Sequence, residues 1–93
     1  DDSLLPKDSV DIVIMVYVFH DIENPIEYLK NLRKRLKPGT PVVIVERDPE
    51  RYGHEYHHFF KKQKVIDHVR AADYTLVKLY TFLERDNIYI IKP

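Results

Sequence analysis

Two apolar runs in this 93-residue chain each end in residues that can do chemistry: His20 and Asp21 follow the run ending at Phe19, and Glu46, Arg47 and Asp48 follow Val42 to Val45. In open α/β sheets ligands bind beyond the carboxyl ends of the strands, so these positions come first as site candidates. A neutral imidazole at His20 can orient a ligand or accept a proton from a nucleophilic oxygen. The competing role is a histidine bonded to loop backbone, and Asp21 equally suits loop scaffolding. Glu46 and Asp48 could face the same ligand, although carboxylates at such positions are more often at the surface.

A second concentration of polar groups is Arg51-Tyr52-Gly53-His54-Glu55-Tyr56-His57-His58. His54, Glu55 and His57 are plausible metal ligands, and His58 lies one turn beyond His54 if the stretch is helical. No second ligand cluster accompanies them, so no metal is assigned. The preferred reading makes Arg51, Tyr52, His57 and His58 a lid or acceptor-binding rim, in which the aromatic ring gives apolar contact and the histidines polar anchors.

The elements that must position these groups are legible. Asp11 to Phe19 is almost continuously apolar, as in a parallel strand covered by helices on both faces. Asn24 suits a helix cap, Pro25 the first helical position, and Glu27 the third position of a capping box. Ile26, Leu29, Leu32 and Leu36 then form one apolar stripe, and Lys30, Arg33, Lys34, Arg35 and Lys37 crowd the later turns, where cations suit the negative helix end. Leu36-Lys37-Pro38-Gly39 closes the helix, and Pro41 opens a second strand over Val42 to Val45. Strand, helix and strand make a βαβ crossover, right-handed on general grounds.

Residues 48 to 60 read as a surface excursion over the carboxyl edge. Lys61 to Ala72 resumes helical spacing through Val65, Ile66 and Val69. Thr75 to Leu83 and Asn87 to Lys92 are β-rich runs that Glu84-Arg85-Asp86 joins as an antiparallel hairpin. Asp1 to Ser9 reads as loop.

Bulk properties narrow the function classes. At this length the chain makes one small domain at most. Fifteen basic residues balance fifteen acidic ones, so global charge favours neither nucleic acid nor an anionic membrane. The absence of cysteine excludes disulfides, thiolate metal sites and a cysteine nucleophile, and is compatible with a reducing, cytoplasmic setting. The longest apolar run is well short of the ~20 residues of a membrane helix, and no signal pattern precedes it.

Asp1-Asp2-Ser3-Leu4-Leu5-Pro6, Ser9-Val10-Asp11-Ile12-Val13, Phe19-His20-Asp21-Ile22-Glu23-Asn24-Pro25, Leu36-Lys37-Pro38-Gly39 and Val65-Ile66 through Ala71-Ala72-Asp73-Tyr74 occur in this order over nearly the whole chain. In order and spacing the chain resembles the second half of the class I S-adenosylmethionine-dependent methyltransferases, in particular the small-molecule branch that includes quinone-biosynthesis enzymes. The resemblance implies a partial Rossmann-like sheet: two parallel strands plus a C-terminal antiparallel hairpin, covered by helices, in the family's order fourth, fifth, seventh, sixth. It implies S-adenosylmethionine as cofactor and a small-molecule methyl acceptor. By alignment, Asp1 takes the place of the acidic residue that binds the adenine amino group, Asp2 follows with its backbone amide, and Val16 and Tyr17 border the methionine part of the cofactor. His20 falls near the adenine or the acceptor, and Glu46 joins the rim residues on the acceptor side. Asp73 stands where the family usually has glycine.

The family's glycine-rich turn has no counterpart, since the chain has only Gly39 and Gly53. Residues 1–93 are therefore expected to be the C-terminal half of one methyltransferase domain, inactive alone. It would pair with the missing N-terminal half or self-associate through the edge strand Val10 to Phe19. Two other classes stay open: a non-catalytic α/β binding or scaffolding module, and a metal-dependent hydrolase using the histidine loop.

Overall fold

The computed structural model describes residues 11–52 and 59–93. Asp1, Asp2, His54, Glu55, His57 and His58, with the side chain of Tyr52, lie outside the described residues. In chain order the elements are β1 (Val13–Val16), a 3-10 turn (Phe19–Asp21), α1 (Pro25–Arg33), β2 (Val42–Arg47), the one-turn α2 (Pro49–Tyr52), α3 (Lys62–Ala71), β3 (Thr75–Tyr80) and β4 (Asp86–Lys92). They build one four-stranded sheet in the order β1-β2-β4-β3. β1 and β2 are parallel, with Met15 opposite Ile44, and the other two pairings are antiparallel. This is the expected arrangement of fourth, fifth, seventh and sixth strands.

The core follows from strand alternation. Val42, Ile44 and Glu46 of β2 point to one face, where Ile44 pairs with Tyr89 and Val42 with Ile91. Leu29, Leu32 and Leu36 from α1 and its continuation join Val65, Val69 and Ala72 from α3 and its cap on that face, all essentially buried. Truncating such a residue, Leu29→Ala for example, costs about 2–5 kcal/mol.

Three expectations need correction. β1 ends at Val16, not Phe19, because the Phe19 ring is wholly buried and packs edge-on against Phe60, with centroids 6.1 Å apart. Burying that ring turns the chain into the 3-10 turn that carries His20. Asn24 occupies the cap position of α1 and Pro25 the first helical one, but the Asn24 side chain makes no capping hydrogen bond. Among the described residues the helices, finally, cover one face of the sheet and not both. α1 and α3 pack on each other and on the same side, and on the opposite side Ile14 is 61% exposed and Val16 48%.

Backbone turns fall where the residue types demand them. The Thr40 amide donates to the Lys37 carbonyl (3.1 Å), with Pro38 second and Gly39, at φ 85°, third, as a type II turn requires. Asp73 adopts φ 66° after α3, and the Tyr74 amide reaches back to the Val69 carbonyl and the Asp73 amide to the Arg70 carbonyl, both at 3.0 Å. This pair of bonds is a Schellman closure, with aspartate in glycine's place.

Candidate active site

The turn after β1 is tied down by a carboxylate from β2. Glu46 is 1% exposed; its Oε2 accepts the Phe19 amide at 3.2 Å, and its Oε1 lies 2.9 Å from His20 Nδ1. The His20 side chain is itself 9% exposed, and its Nε2 lies 3.3 Å from Asp21 Oδ1, a carboxylate open to solvent. The Phe59 ring, at the end of the excursion, lies against the imidazole with centroids 4.0 Å apart. Burial, the dominant influence, raises the Glu46 carboxyl above its ordinary value, and His20 and the backbone amides of the turn only partly oppose it.

Glu46, His20 and Asp21 thus form a relay running from the core to the surface. Nδ1 faces Glu46 and Nε2 faces Asp21, so a proton taken up at Nε2 is stabilised by the second carboxylate. This is the arrangement a general base needs.

Tyr17 stands on the open side of the same edge. Its backbone has φ 57°, a conformation that costs an aromatic residue about 1–2 kcal/mol. Its hydroxyl donates to Asp86 Oδ2, and the Arg47 guanidinium sits 4.9 Å from its ring centroid. The hydrogen bond to Asp86, with a smaller effect of burial, pushes the phenol up. Val16 precedes it, half-exposed at the end of β1.

Asp48 and Arg51 take a different part from the one expected. Asp48 is 1% exposed, and its Oδ1 accepts the Glu50 amide (2.9 Å), capping α2. Its Oδ2 accepts from Lys62 Nζ (3.2 Å) and Asn87 Nδ2 (3.1 Å). Burial is the largest single influence on its carboxyl and acts upward, but the bonds from Asn87, the Glu50 amide and Lys62 together hold it below its ordinary value. Arg51 donates to the carbonyls of Leu83 (2.6 Å) and Asp86 (3.0 Å) and to Asn87 Oδ1. Its guanidinium therefore staples α2 to the hairpin. Tyr89, beneath this knot, has its phenol pushed up to about 12, chiefly by burial.

The structure thus brings His20, Asp21 and Glu46 together and sets Val16 and Tyr17 beside them at the carboxyl edge. Arg51 is directed into the hairpin. Asp86, Asn87 and Lys62 were not singled out as site residues, and Glu46 and Asp48 are buried, not at the surface as is usual for carboxylates; the unused signals were the alternation Val42, Ile44, Glu46 and the cap-like Asp48-Pro49.

Two concavities lie away from this edge. One, of about 250 Å³, is lined by Lys30, Arg33, Lys34, Ala72 and Asp73; the other, of about 330 Å³, by Ile22, Glu23, Asn24 and Tyr28. Neither includes Val16, Tyr17 or His20. Among the described residues no group of three or more histidines, cysteines or carboxylates is placed to hold a metal, and no helix is long and apolar enough to cross a membrane.

Comparison with known proteins adds the following. The model of a family described as a methyltransferase domain matches residues 1–82. A search of curated proteins finds no match. Among solved structures, the chain is similar to a SAM-dependent methyltransferase from Aquifex aeolicus, at TM-score 0.86 and 18% identity, covering 99% of this chain and 50% of that one. A type 11 methyltransferase from Sulfolobus solfataricus gives TM-score 0.78 and 16% identity, covering 96% and 53%. The mitomycin 7-O-methyltransferase MmcR gives TM-score 0.76 and 12% identity, covering 95% and 30%. The chain spans about half the length of the first two.

Proposed function

This chain belongs to the methyltransferase-domain family, and from that premise we propose that it is the acceptor-side half of an S-adenosylmethionine-dependent methyltransferase acting on a small molecule with a hydroxyl nucleophile. The observation that carries the reading is the Glu46–His20–Asp21 relay at the carboxyl edge of the sheet. Methyl transfer to an oxygen requires that the hydroxyl proton leave, and a histidine with one nitrogen fixed by a buried carboxylate supplies its acceptor. The names of the solved relatives support S-adenosylmethionine as the cofactor.

When bound in the complete domain, the cofactor supplies an electrophilic methyl group, with most of its binding surface outside this chain. Val16 and Tyr17 offer it an edge at the end of β1, and Asp1 and Asp2 offer an acceptor and an amide for the adenine. His20 would orient the acceptor hydroxyl and accept its proton at Nε2, which methyl transfer from the bound cofactor would require. Glu46 holds the ring and its tautomer; Asp21 stabilises the charge that appears. Phe59 lies against the His20 ring, and Tyr52, His57 and His58 are the acceptor-binding residues of the excursion in this reading. A cytoplasmic setting fits this chemistry.

The test is methyl transfer to phenolic and alcoholic acceptors by the complete protein, with His20→Ala and His20→Gln beside the unmodified form. Loss of about 10²–10⁴-fold in kcat with little change in cofactor affinity is expected for a general base. Unchanged kcat across the pH range in both variants would remove His20 from the mechanism. Failure to transfer methyl to any oxygen acceptor would leave the scaffolding module as the better reading.

A further inference from the structure

Two consecutive rings at the end of the excursion reach two different histidines. Phe59 lies on the His20 imidazole, with centroids 4.0 Å apart and planes tilted by 46°. Phe60 turns inward: it stands edge-on to Phe19 at 6.1 Å and to His68 of α3 at 5.2 Å, and Phe19 and His68 are themselves 6.1 Å apart. Phe19 is the wholly buried corner of this triangle, Phe60 and His68 the half-buried ones. Edge-to-face contacts of this kind fix the mutual orientation of rings as well as burying them.

The triangle holds the stacked pair from both sides. Phe19 precedes His20 and Phe59 precedes Phe60, so each partner of the outer pair is one peptide link from a ring of the inner set. Glu46 contacts Nδ1 of His20 and Asp21 contacts Nε2. Contacts at two ring nitrogens leave the imidazole free to rock about the line joining them, and a ring laid on its face restrains that motion. Phe59 does so only while Phe60 keeps its seat.

His68 is the corner that titrates. Its Nδ1 is buried with no hydrogen-bond partner among the described residues, so the charged ring would leave a buried N–H unpaired. Burial, and after it the Lys64 ammonium, hold its pKa below 6.5 against a smaller opposing effect of Asp67. Among the described residues these two neighbours on α3 are the charged groups that act on it. The 3-10 turn and the end of the excursion meet it with the rings of Phe19 and Phe60, and α1 and the sheet add no charge. Phenylalanine faces attract cations, but the Phe60 ring already has the Lys64 Nζ 4.6 Å from its centroid, so an imidazolium beside it would meet a like charge. We infer that Phe60 and His68 are positioning residues for His20: seated between Phe19 and a neutral His68, Phe60 holds Phe59 against the imidazole, and a proton on His68 loosens that seat. The inference rests on the reading of His20 as the base for the acceptor hydroxyl.

The experiment is a pH titration of the complete protein, isotopically labelled at histidine Cε1 and followed by NMR. The signals of His20 and His68 are assigned by their loss in His20→Gln and His68→Phe. His68 should titrate below 6.5, and the His20 signal should show an inflection at the His68 midpoint. That inflection should disappear in His68→Phe, which keeps a ring in the triangle. Phe60→Ala should shift the His20 signal, through loss of the Phe59 ring current, and lower kcat about 10-fold without changing KM for S-adenosylmethionine. Phe60→Tyr, which keeps the ring, should restore both. A His20 signal that ignores the His68 titration, or keeps the inflection in His68→Phe, would overturn the inference. So would a Phe60→Ala protein, folded by its far-UV spectrum, with an unaltered His20 signal and kcat. Methyl transfer is read separately: coupled titration in a protein that transfers no methyl to oxygen confirms the ring seat and refutes the proton-transfer role of His20 instead.

Discussion

Glu46 is the residue on which the site turns, because one buried carboxylate fixes both the Phe19 amide and the His20 ring. Its raised pKa has a consequence for stability. Unfolded, the carboxyl ionises near its ordinary value of 4.5, while folded Glu46 keeps its proton to higher pH. Over that window the unfolded state has the fewer protons, so the contribution of Glu46 is greatest below about pH 4.5 and declines as pH rises through the folded value, by no more than about 1.4 kcal/mol per pH unit. Glu46→Gln should abolish that decline in denaturant titrations between pH 4 and 8, and a persisting slope would assign it to another group. His68 contributes the opposite trend at lower pH. Its Nδ1 is buried without a partner among the described residues, and burial lowers its pKa, so stability falls as pH drops below 6.5.

At the scale of elements, two left-handed positions give a paired prediction. Gly39 has φ 85° and no atom within 4 Å of a hypothetical Cβ, so Gly39→Ala should cost about 1 kcal/mol from backbone strain alone. Asp73 occupies the same region at φ 66°, and Asp73→Gly should stabilise by about 0.5–1 kcal/mol. Thermal unfolding of both variants checks the contrast; equal shifts of one sign would refute it. Both turns were legible in the sequence, Gly39 through its Pro-Gly pair and Asp73 through the glycine it replaces in the resemblance. Strand order was legible only through the resemblance, which implies the family's order; the run of β1, the stripe of α1 and the final two β-rich segments gave the element types and the βαβ crossover. The turn at Phe19 was not, since an aromatic residue at the end of an apolar run reads as more strand until the fold shows where its ring is buried. Nor was the knot of Asp48, Arg51, Lys62 and Asn87. Its members come from the junction of β2 and α2, from α2, α3 and β4, and no local pattern announces contacts across up to 39 positions.

The whole molecule is a two-layer α/β unit with a finished core on one side of its sheet and an apolar face on the other. One-sided burial explains how so short a chain can order its four strands while leaving the strand that carries the site at an edge. It also accounts for the position of the relay, which Glu46 holds from the covered face at the end of the edge strand. The central claim, that this chain is half of an S-adenosylmethionine site, is tested most directly by calorimetric titration of S-adenosylhomocysteine into the chain alone and into the protein that includes the preceding polypeptide. Stoichiometric binding to the combined protein and none to the chain alone is the predicted result. Tight binding to the 93-residue chain by itself, or to neither, would contradict it.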